Sequence, residues 1–466
     1  MNHAIQIPEF DPALIARYDV AGPRYTSYPT APQFHAGFGE QALRAVIQAS
    51  NEEPIPRPLS IYVHVPFCVS PCFYCGCNRI ITRDVGKADR YLERLHREIE
   101  LTAKLFDRDR QVTQLHFGGG TPNFLDTPRM RELMGVLARH FPFAPAGERE
   151  FGIEIDPRFA DAAYIAGLGE LGFNRISVGI QDFDPAVQEA VNRIQSVAQT
   201  REVLEAAKAS GFRSASVDLI YGLPKQTVAG FERTLDEVIG LAPDRVAVYA
   251  YAHLPEMFKA QRQIQSADLP SPATRLALIG RALERLGAAG YAYVGMDHFA
   301  KLDDELVSAQ RAGTLQRNFQ GYSTHGECDI IGLGVSAIGR IGDSYSQSAR
   351  DLTGYYAALD NGRLPVARGL ALSRDDLIRR EVIGQLMCHG ELDMVEFGAQ
   401  YGVCFAEYFT AELERLHALA ADGLVTLDER AIRVTARGRL LLRVVAMCFD
   451  AYLGRAAERP RFSRTI

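Results

Sequence analysis

Four cysteines fall within ten residues: Cys68, Cys72, Cys75 and Cys77. The first three are spaced C-x3-C-x2-C, so one tight loop can turn their sulfurs around a single compact centre. Soft thiolates select zinc, copper(I) or an iron–sulfur cluster. An ordinary four-iron cluster takes four cysteine ligands. With only three, one iron keeps an open coordination position, which suits chemistry on a bound ligand. The same spacing admits other readings, with Cys77 as the fourth ligand of an electron-transfer cluster or with zinc in the loop. Structural zinc sites draw ligand pairs from two separated elements, and the chain has no second pair of that kind. A disulfide has little support, because nothing suggests secretion.

Other residues could serve such a centre. Gly118-Gly119-Gly120-Thr121-Pro122 is a turn stripped of side chains, through which backbone amides and carbonyls can approach a ligand. It lacks the Lys-Ser/Thr of a nucleotide-triphosphate loop. Glu154 and Asp218 could accept hydrogen bonds from an ammonium or a ribose, or pair with arginines. Tyr74 could stack on a purine or pack beneath the cysteine loop. His64 and His116 read first as structural histidines. Asp297-His298 and Arg317–Tyr322 are polar, aromatic stretches suited to substrate-facing loops.

The elements that must carry these residues alternate. Short runs rich in β-branched and aromatic residues predict strands at Leu59–Val65, Val112–Phe117, Phe151–Ile155, Arg175–Ile180, Ser214–Ile220 and Arg245–Tyr251. Apolar residues at three- and four-residue steps predict helices at Lys87–Leu105, Arg129–His140, Asp161–Leu171, Ala198–Ser210 and Phe231–Leu241. Such alternation implies parallel strands with right-handed crossovers, and six units in a row suggest a (β/α) barrel. Every unusual motif falls at the C-terminal end of a predicted strand, the rim where barrel enzymes build active sites.

Ahead of the barrel, residues 1–52 form an arm whose Pro23–Thr30 stretch reads as extended, followed by a proline-rich linker around Pro54–Pro58. The barrel core is expected over 53–289, a closing, substrate-facing segment over 290–345, and a mostly helical domain over 346–466. In the last, a hairpin around Leu424–Val434 and a helix over Arg437–Phe449 give a winged-helix pattern. With 466 residues, 47% hydrophobic and 23% charged, the chain has the composition of a globular protein. Its net charge of −6 provides no basic field for nucleic acid or an anionic membrane. No apolar run has the length of a membrane span, and Met1–Phe10 lacks a signal-peptide core. Cys328, Cys388, Cys404 and Cys448 are expected as buried thiols in a reducing cytosol.

With Cys68, Cys72 and Tyr74-Cys75 in place, the chain resembles the radical S-adenosylmethionine (SAM) enzymes, whose signature is C-x3-C-x-aromatic-C followed by a glycine-rich turn. Within them it is most similar to the oxygen-independent coproporphyrinogen III oxidase family. That resemblance rests on Pro23–Thr30, Gly76-Cys77-Asn78, Ile153–Arg158, Val178–Phe183, Asp218–Thr227, Tyr251–Pro255, Gly295–Phe299, Arg317–Tyr322, Thr435–Arg439 and Cys448–Asp450. It implies an α/β fold with a partial (β/α)6 radical-SAM-type barrel, an N-terminal arm and a mostly helical C-terminal domain. It implies a [4Fe-4S] cluster on Cys68, Cys72 and Cys75, with Cys77 a nearby non-ligand. Two SAM molecules per chain are implied, one touched by Tyr62, Gly119 and Glu154. The other would be touched by Tyr74, Gly120, Thr121, Gln181, Arg193, Asp218, Ala252 and Ile338.

The implied reaction converts two propionates of coproporphyrinogen III to vinyl groups, giving protoporphyrinogen IX. A 5′-deoxyadenosyl radical takes a hydrogen atom, and carbon dioxide and one electron then leave. An external donor such as flavodoxin or ferredoxin would supply electrons to a cytoplasmic monomer. No acid–base catalytic residue is singled out. Three rival readings are a haem-binding chaperone-like relative, a radical SAM enzyme acting on haem, and a binding module with an electron-transfer cluster. Because the substrate carries four carboxylates and the chain is acidic, a local group of cations is expected: Arg24, Lys225, Arg262 and Arg317.

Overall fold

Polar and apolar side chains alternate along the first strands, although parallel strands covered on both faces usually read as continuous apolar runs. The reason is a polar lumen. The computed structural model describes residues 7–453 and 462–464, so most of the N-terminal stretch Met1–Phe10 lies outside the described residues. Strands β1 (Leu59–Val65), β2 (Val112–Gly119), β3 (Glu150–Ile155), β4 (Arg175–Gln181), β5 (Ser214–Tyr221) and β6 (Arg245–Ala250) follow one another in parallel. Between and after them run α1 (Gly86–Ala103), α2 (Thr127–His140), α3 (Ala162–Glu170), α4 (Val197–Ala209), α5 (Val228–Leu241) and α6 (Pro272–Ala288). Each of α2 to α6 starts on a side-chain cap, from Asp126, Asp161, Ser196, Thr227 and Ser271. One set of strand residues, including Ile61, Val63, Leu115, Phe117, Ile153, Val178, Val217 and Val248, is fully buried in the main core. The alternate set faces the lumen.

The barrel extends beyond the six expected units. After β6 come β7 (Tyr291–Gly295), β8 (His298–Lys301), β9 (Asp329–Leu333), β10 (Ile338–Ile341), β11 (Ser344–Ser348) and β12 (Val366–Ala371). The twelve strands form one sheet in the order β12-β11-β10-β9-β1-β2-β3-β4-β5-β6-β8-β7. β9 pairs parallel to β1, with Tyr62 opposite Gly332, and becomes a seventh parallel strand on the far side of β1. It is a five-residue run ending among glycines, and it does not follow a strand–helix unit, so periodicity does not mark it.

The chain between β8 and β9 closes the barrel floor. Gln114 donates to Glu150 (2.9 Å) and Ser323 (3.2 Å), while Gln320 donates to Ser60 (3.3 Å). Arg175 and Arg245 converge on Glu305 at 2.5 and 2.7 Å. These contacts tie the segment to the strands at the end of the lumen away from the cysteines.

The arm is a strap, and it also reaches inward. Leu14, Ile15, Tyr25 and Tyr28 are buried in the main core. Tyr25 donates to Asp450 (3.0 Å), the Tyr28 hydroxyl accepts from the Ala451 N–H (3.0 Å), and Arg437 pairs with Asp11 (2.6 Å). His35 and Gly369 exchange backbone hydrogen bonds on β12. The arm therefore ties the C-terminal region to the sheet edge.

In that region α7 (Arg374–His389) precedes a small antiparallel sheet of β13 (Glu391–Asp393), β14 (Val425–Leu427) and β15 (Ala431–Val434). The expected hairpin is present, with β13 as a third strand. The expected helix over Arg437–Phe449 is broken into a 3-10 turn, Arg439–Leu441, and a short helix, Leu442–Met447. Gly438 sits against the Leu424 carbonyl, where a side chain has no room, and the buried Arg439 donates to the Val294 carbonyl (3.1 Å). Among the described residues, no helix is long and apolar enough to cross a membrane.

Candidate active site

The cysteine loop leaves β1 and is closed at its base by backbone pairing. Phe67–Cys68 runs parallel to Ile80–Ile81, and the Thr82 N–H donates to the Cys68 carbonyl (2.9 Å). Arg79 braces the loop from within, donating to the carbonyls of Cys75 (3.0 Å) and Cys72 (3.1 Å). Cys68 and Cys72 are buried, Cys75 is half-buried and Cys77 is exposed, all as free thiols; of the four expected as buried, Cys328, Cys388 and Cys448 are, and Cys404 is exposed. Two cations approach one sulfur: Arg158 and Arg193 each come within 3.6 Å of Cys72 Sγ. Thr121 donates to Cys68 Sγ at 3.2 Å, and the Cys77 N–H to Cys75 Sγ at 3.4 Å. Burial pushes the Cys68 thiol up to about 11. The side-chain hydrogen bond from Cys77, aided by Arg79 and acting against burial, brings Cys75 down to about 6. Three soft donors on one closed loop, with guanidinium charge beside them, fit a [4Fe-4S] cluster held by Cys68, Cys72 and Cys75.

Beside the loop lies the glycine turn, where steric room decides residue type. A Cβ on Gly118 would come within 2.8 Å of Glu154 Oε1. One on Gly119, whose φ is +115°, would strike the His64 ring at 2.6 Å. One on Gly120 would meet the Pro66 backbone at 2.7 Å. Gly120 N–H also donates to the Val65 carbonyl (2.8 Å), locking β2's end to the start of the cysteine loop.

A row of polar side chains crosses the lumen from β1 to β5. Tyr62 stacks on His116, with centroids 6.1 Å apart, and His116 Nε2 lies 3.5 Å from Glu154. Glu154 accepts from the Gly119 N–H (3.2 Å). Ser177 donates to Asp218 (3.2 Å). Burial works against the charge of Glu154, but the hydrogen bond and charge of His116 hold its carboxyl below the usual range. Asp218 moves the other way, raised to about 7 by burial and then by the nearby Glu154 charge. Neighbouring carboxyls thus take different protonation states near neutrality. His64 and His116, expected as structural, belong to this row. Their position on the same strand face as Tyr62 and Gly118 was the available signal.

Of the other expected residues, Arg193 is buried, pairs with Asp156 (2.9 Å) and donates to the Gly179 carbonyl (2.7 Å). Gln181 holds a left-handed φ of 69° at a bulge. A Cβ on Gly179 would come within 2.8 Å of Gln181 Nε2 and 3.0 Å of Arg193, so that glycine lets the two side chains meet. Tyr74 packs against an apolar cluster that includes Val187 and Tyr251. Gln261 joins the Tyr74 carbonyl (2.9 Å) to that of Ala252 (3.1 Å). Ile338 lies across β9 from β1, its carbonyl against Gly332, the register partner of Tyr62. Asp156, Arg158, Arg79 and Gln261 were not assigned from sequence. Their roles depend on partners distant in the chain, such as Arg193 with Asp156.

The four expected cations separate into two groups. Arg24 pairs with Asp297 (3.0 Å), lies over the Tyr249 ring (5.6 Å), and accepts at its carbonyl from Arg317 (3.4 Å). Tyr249 and His298 approach to 3.4 Å, and Arg317 covers Tyr322 at 4.8 Å. Lys225 instead is exposed on a loop and Arg262 on the 3-10 turn Lys259–Gln263, bonded to the Pro255 carbonyl (3.0 Å).

The Radical SAM superfamily model matches residues 62–238, and the HemN C-terminal domain model matches residues 372–441. The chain is similar to the oxygen-independent coproporphyrinogen III oxidase of Pseudomonas aeruginosa, 53% identical over 461 residues, covering 98% of this chain and 99% of that one. It is similar to the enzyme of the same name from Escherichia coli, 49% identical and covering 99% of this chain and 100% of that one. The solved structure of coproporphyrinogen III oxidase (HemN) from Escherichia coli, a radical SAM enzyme, matches with a TM-score of 0.91 at 48% identity, covering 96% of this chain and 100% of that chain.

Proposed function

Because the chain belongs to the oxygen-independent coproporphyrinogen III oxidases of the radical SAM superfamily, we propose that it converts two propionates of coproporphyrinogen III to vinyl groups, giving protoporphyrinogen IX. One observation carries the reading: three cysteines on a closed loop share a side-chain-free turn with a lumen lined by Tyr62, His116, Glu154 and Asp218. The haem-binding and haem-modifying alternatives give way to relatives that match over 98% and 99% of the chain.

Cys68, Cys72 and Cys75 would hold a [4Fe-4S] cluster, which when bound would supply the electron that cleaves SAM to the 5′-deoxyadenosyl radical. The chain's residues supply placement. Arg158 and Arg193 offset thiolate charge at Cys72. Gly118–Gly120 admit a ligand to the backbone, and Glu154, held ionised, can accept from an ammonium or hydroxyl. Each propionate would give one hydrogen atom to that radical, forming 5′-deoxyadenosine, then lose carbon dioxide and pass one electron to an external one-electron acceptor. Two SAM per chain is our assignment, with Tyr62, Gly119 and Glu154 at one molecule. Tyr74, Gly120, Thr121, Gln181, Arg193, Asp218, Ala252 and Ile338 serve the other. A cytoplasmic monomer reduced by flavodoxin or ferredoxin completes the reading. Anaerobic incubation of the reconstituted protein with SAM, reductant and coproporphyrinogen III tests it. Vinyl products and carbon dioxide are expected, and 5′-deoxyadenosine without either would refute the substrate.

A pH dependence follows from Asp218. A ligand that donates to its carboxylate favours the ionised form, so SAM binding at that site should strengthen as pH rises through about 7. Asp218→Asn should flatten this rise while the second site continues to bind. Anaerobic equilibrium dialysis between pH 5.5 and 8.5 reads both stoichiometry and slope. A saturating value of one SAM per active chain would remove the two-site assignment.

A further inference from the structure

A cavity of about 400 Å³ lies between the arm at Tyr25–Tyr28, the Leu315–Phe319 segment, the β9–β10 edge and α7. Its volume falls in the range of small-molecule sites, roughly 300–1,000 Å³. Four arginines line it, Arg57, Arg317, Arg340 and Arg380. Buried nitrogens of three of them, Arg317 Nη1, Arg340 Nε and Arg380 Nη1, have no hydrogen-bond partner. Other buried guanidinium nitrogens, such as Arg79 Nε, Arg193 Nε and Arg439 Nε, also lack a partner; what sets these three apart is that they gather around one cavity, an arrangement suited to an acceptor. The two carboxylates at its wall have other partners: Glu327 lies 3.6 Å from His325, and Glu381 accepts from Gln385 (3.0 Å). Arg380 is only loosely paired with Asp343, at 3.7 Å.

Charge is thereby segregated within the molecule. At the cysteine end the lumen presents Glu154 and Asp218, and Arg193 and Arg158 are both paired with Asp156. In the cavity, Arg317, Arg340 and Arg380 each make a contact through one nitrogen and keep another buried nitrogen without a partner. Arg317 joins the two regions, since it lines the cavity and also bonds Arg24 beside Tyr249. We propose that this cavity binds the two carboxylates of the porphyrinogen that the reaction leaves intact, so that the remaining propionates face the SAM end. The proposal deepens the substrate reading above and depends on it. Guanidinium forks suit carboxylates bidentately, and Phe319 against Tyr345, centroids 5.8 Å apart, gives the same cavity an aromatic wall.

The test uses cluster-loaded protein and coproporphyrin III, the oxidised and unreactive form, against its tetramethyl ester, with binding read by porphyrin fluorescence. Arg340→Gln and Arg380→Gln should each weaken the free acid about tenfold or more and leave the ester unchanged. In turnover the loss should fall on KM rather than kcat, with iron content and SAM binding retained. Wild-type affinity for the acid in both variants would overturn the proposal. So would equal affinity of the wild-type protein for acid and ester, an arm that needs no variant to fold. Absence of any porphyrinogen turnover by the wild type would instead overturn the parent reading.

Discussion

Cys68→Ala, Cys72→Ala and Cys75→Ala are each expected to abolish the iron–sulfur chromophore and all SAM cleavage, whereas Cys77→Ala keeps the chromophore. Three thiolates leave none to spare, and the loop that carries them is pinned at both ends. Cys77 is exposed, and alanine there keeps the backbone N–H bond to Cys75 Sγ (3.4 Å) while removing only the side-chain hydrogen bond between the two thiols. Iron and sulfide content with the visible spectrum after anaerobic reconstitution decide the matter. Complete cluster loss in Cys77→Ala would mean a four-cysteine site and would remove the open coordination position on which the reaction depends.

Gly120→Ala is expected to lower turnover about a hundredfold while part of the cluster is retained. The new methyl would lie 2.7 Å from the Pro66 carbonyl carbon and oxygen, backbone atoms that cannot rotate away. The segment must shift, and it leads directly into Phe67 and Cys68. Overpacking of this kind costs about 1–3 kcal/mol in stability, but a displacement near 1 Å at reacting groups costs about 10² in rate. Gly147→Ala is the control, because a Cβ there meets nothing within 4 Å, and its stability should stay within about 0.5 kcal/mol. Iron content and 5′-deoxyadenosine yield separate the two outcomes. Wild-type yield in Gly120→Ala would show that the turn tolerates side chains and is not a ligand cradle.

Removing residues 1–30 to isolate Arg24 would be a poor experiment. The deletion would also strip Leu14, Ile15, Tyr25 and Tyr28 from the main core, at roughly 1.5–3 kcal/mol for each large apolar side chain. Arg24→Gln separates the inward contact from the strap.

The amino-acid order alone located the cysteine loop, the glycine turn and the six strand–helix units, with strand ends close to those observed. Those features are local: a spacing in the chain, a period of two or 3.6, a cap or a glycine. Glu154 and Asp218 could be placed at strand ends for the same reason. What no local pattern contains is which distant segments meet. Tertiary structure alone decided that β9 pairs with β1, because a five-residue strand gains its partner from the sheet edge and not from its own periodicity. It decided that Arg24 and Arg317 converge while Lys225 and Arg262 do not, since exposed and inward-facing arginines look alike in sequence. It also set the protonation of Asp218 and Glu154, because desolvation and neighbouring charge depend on distances across strands that only the assembled barrel defines.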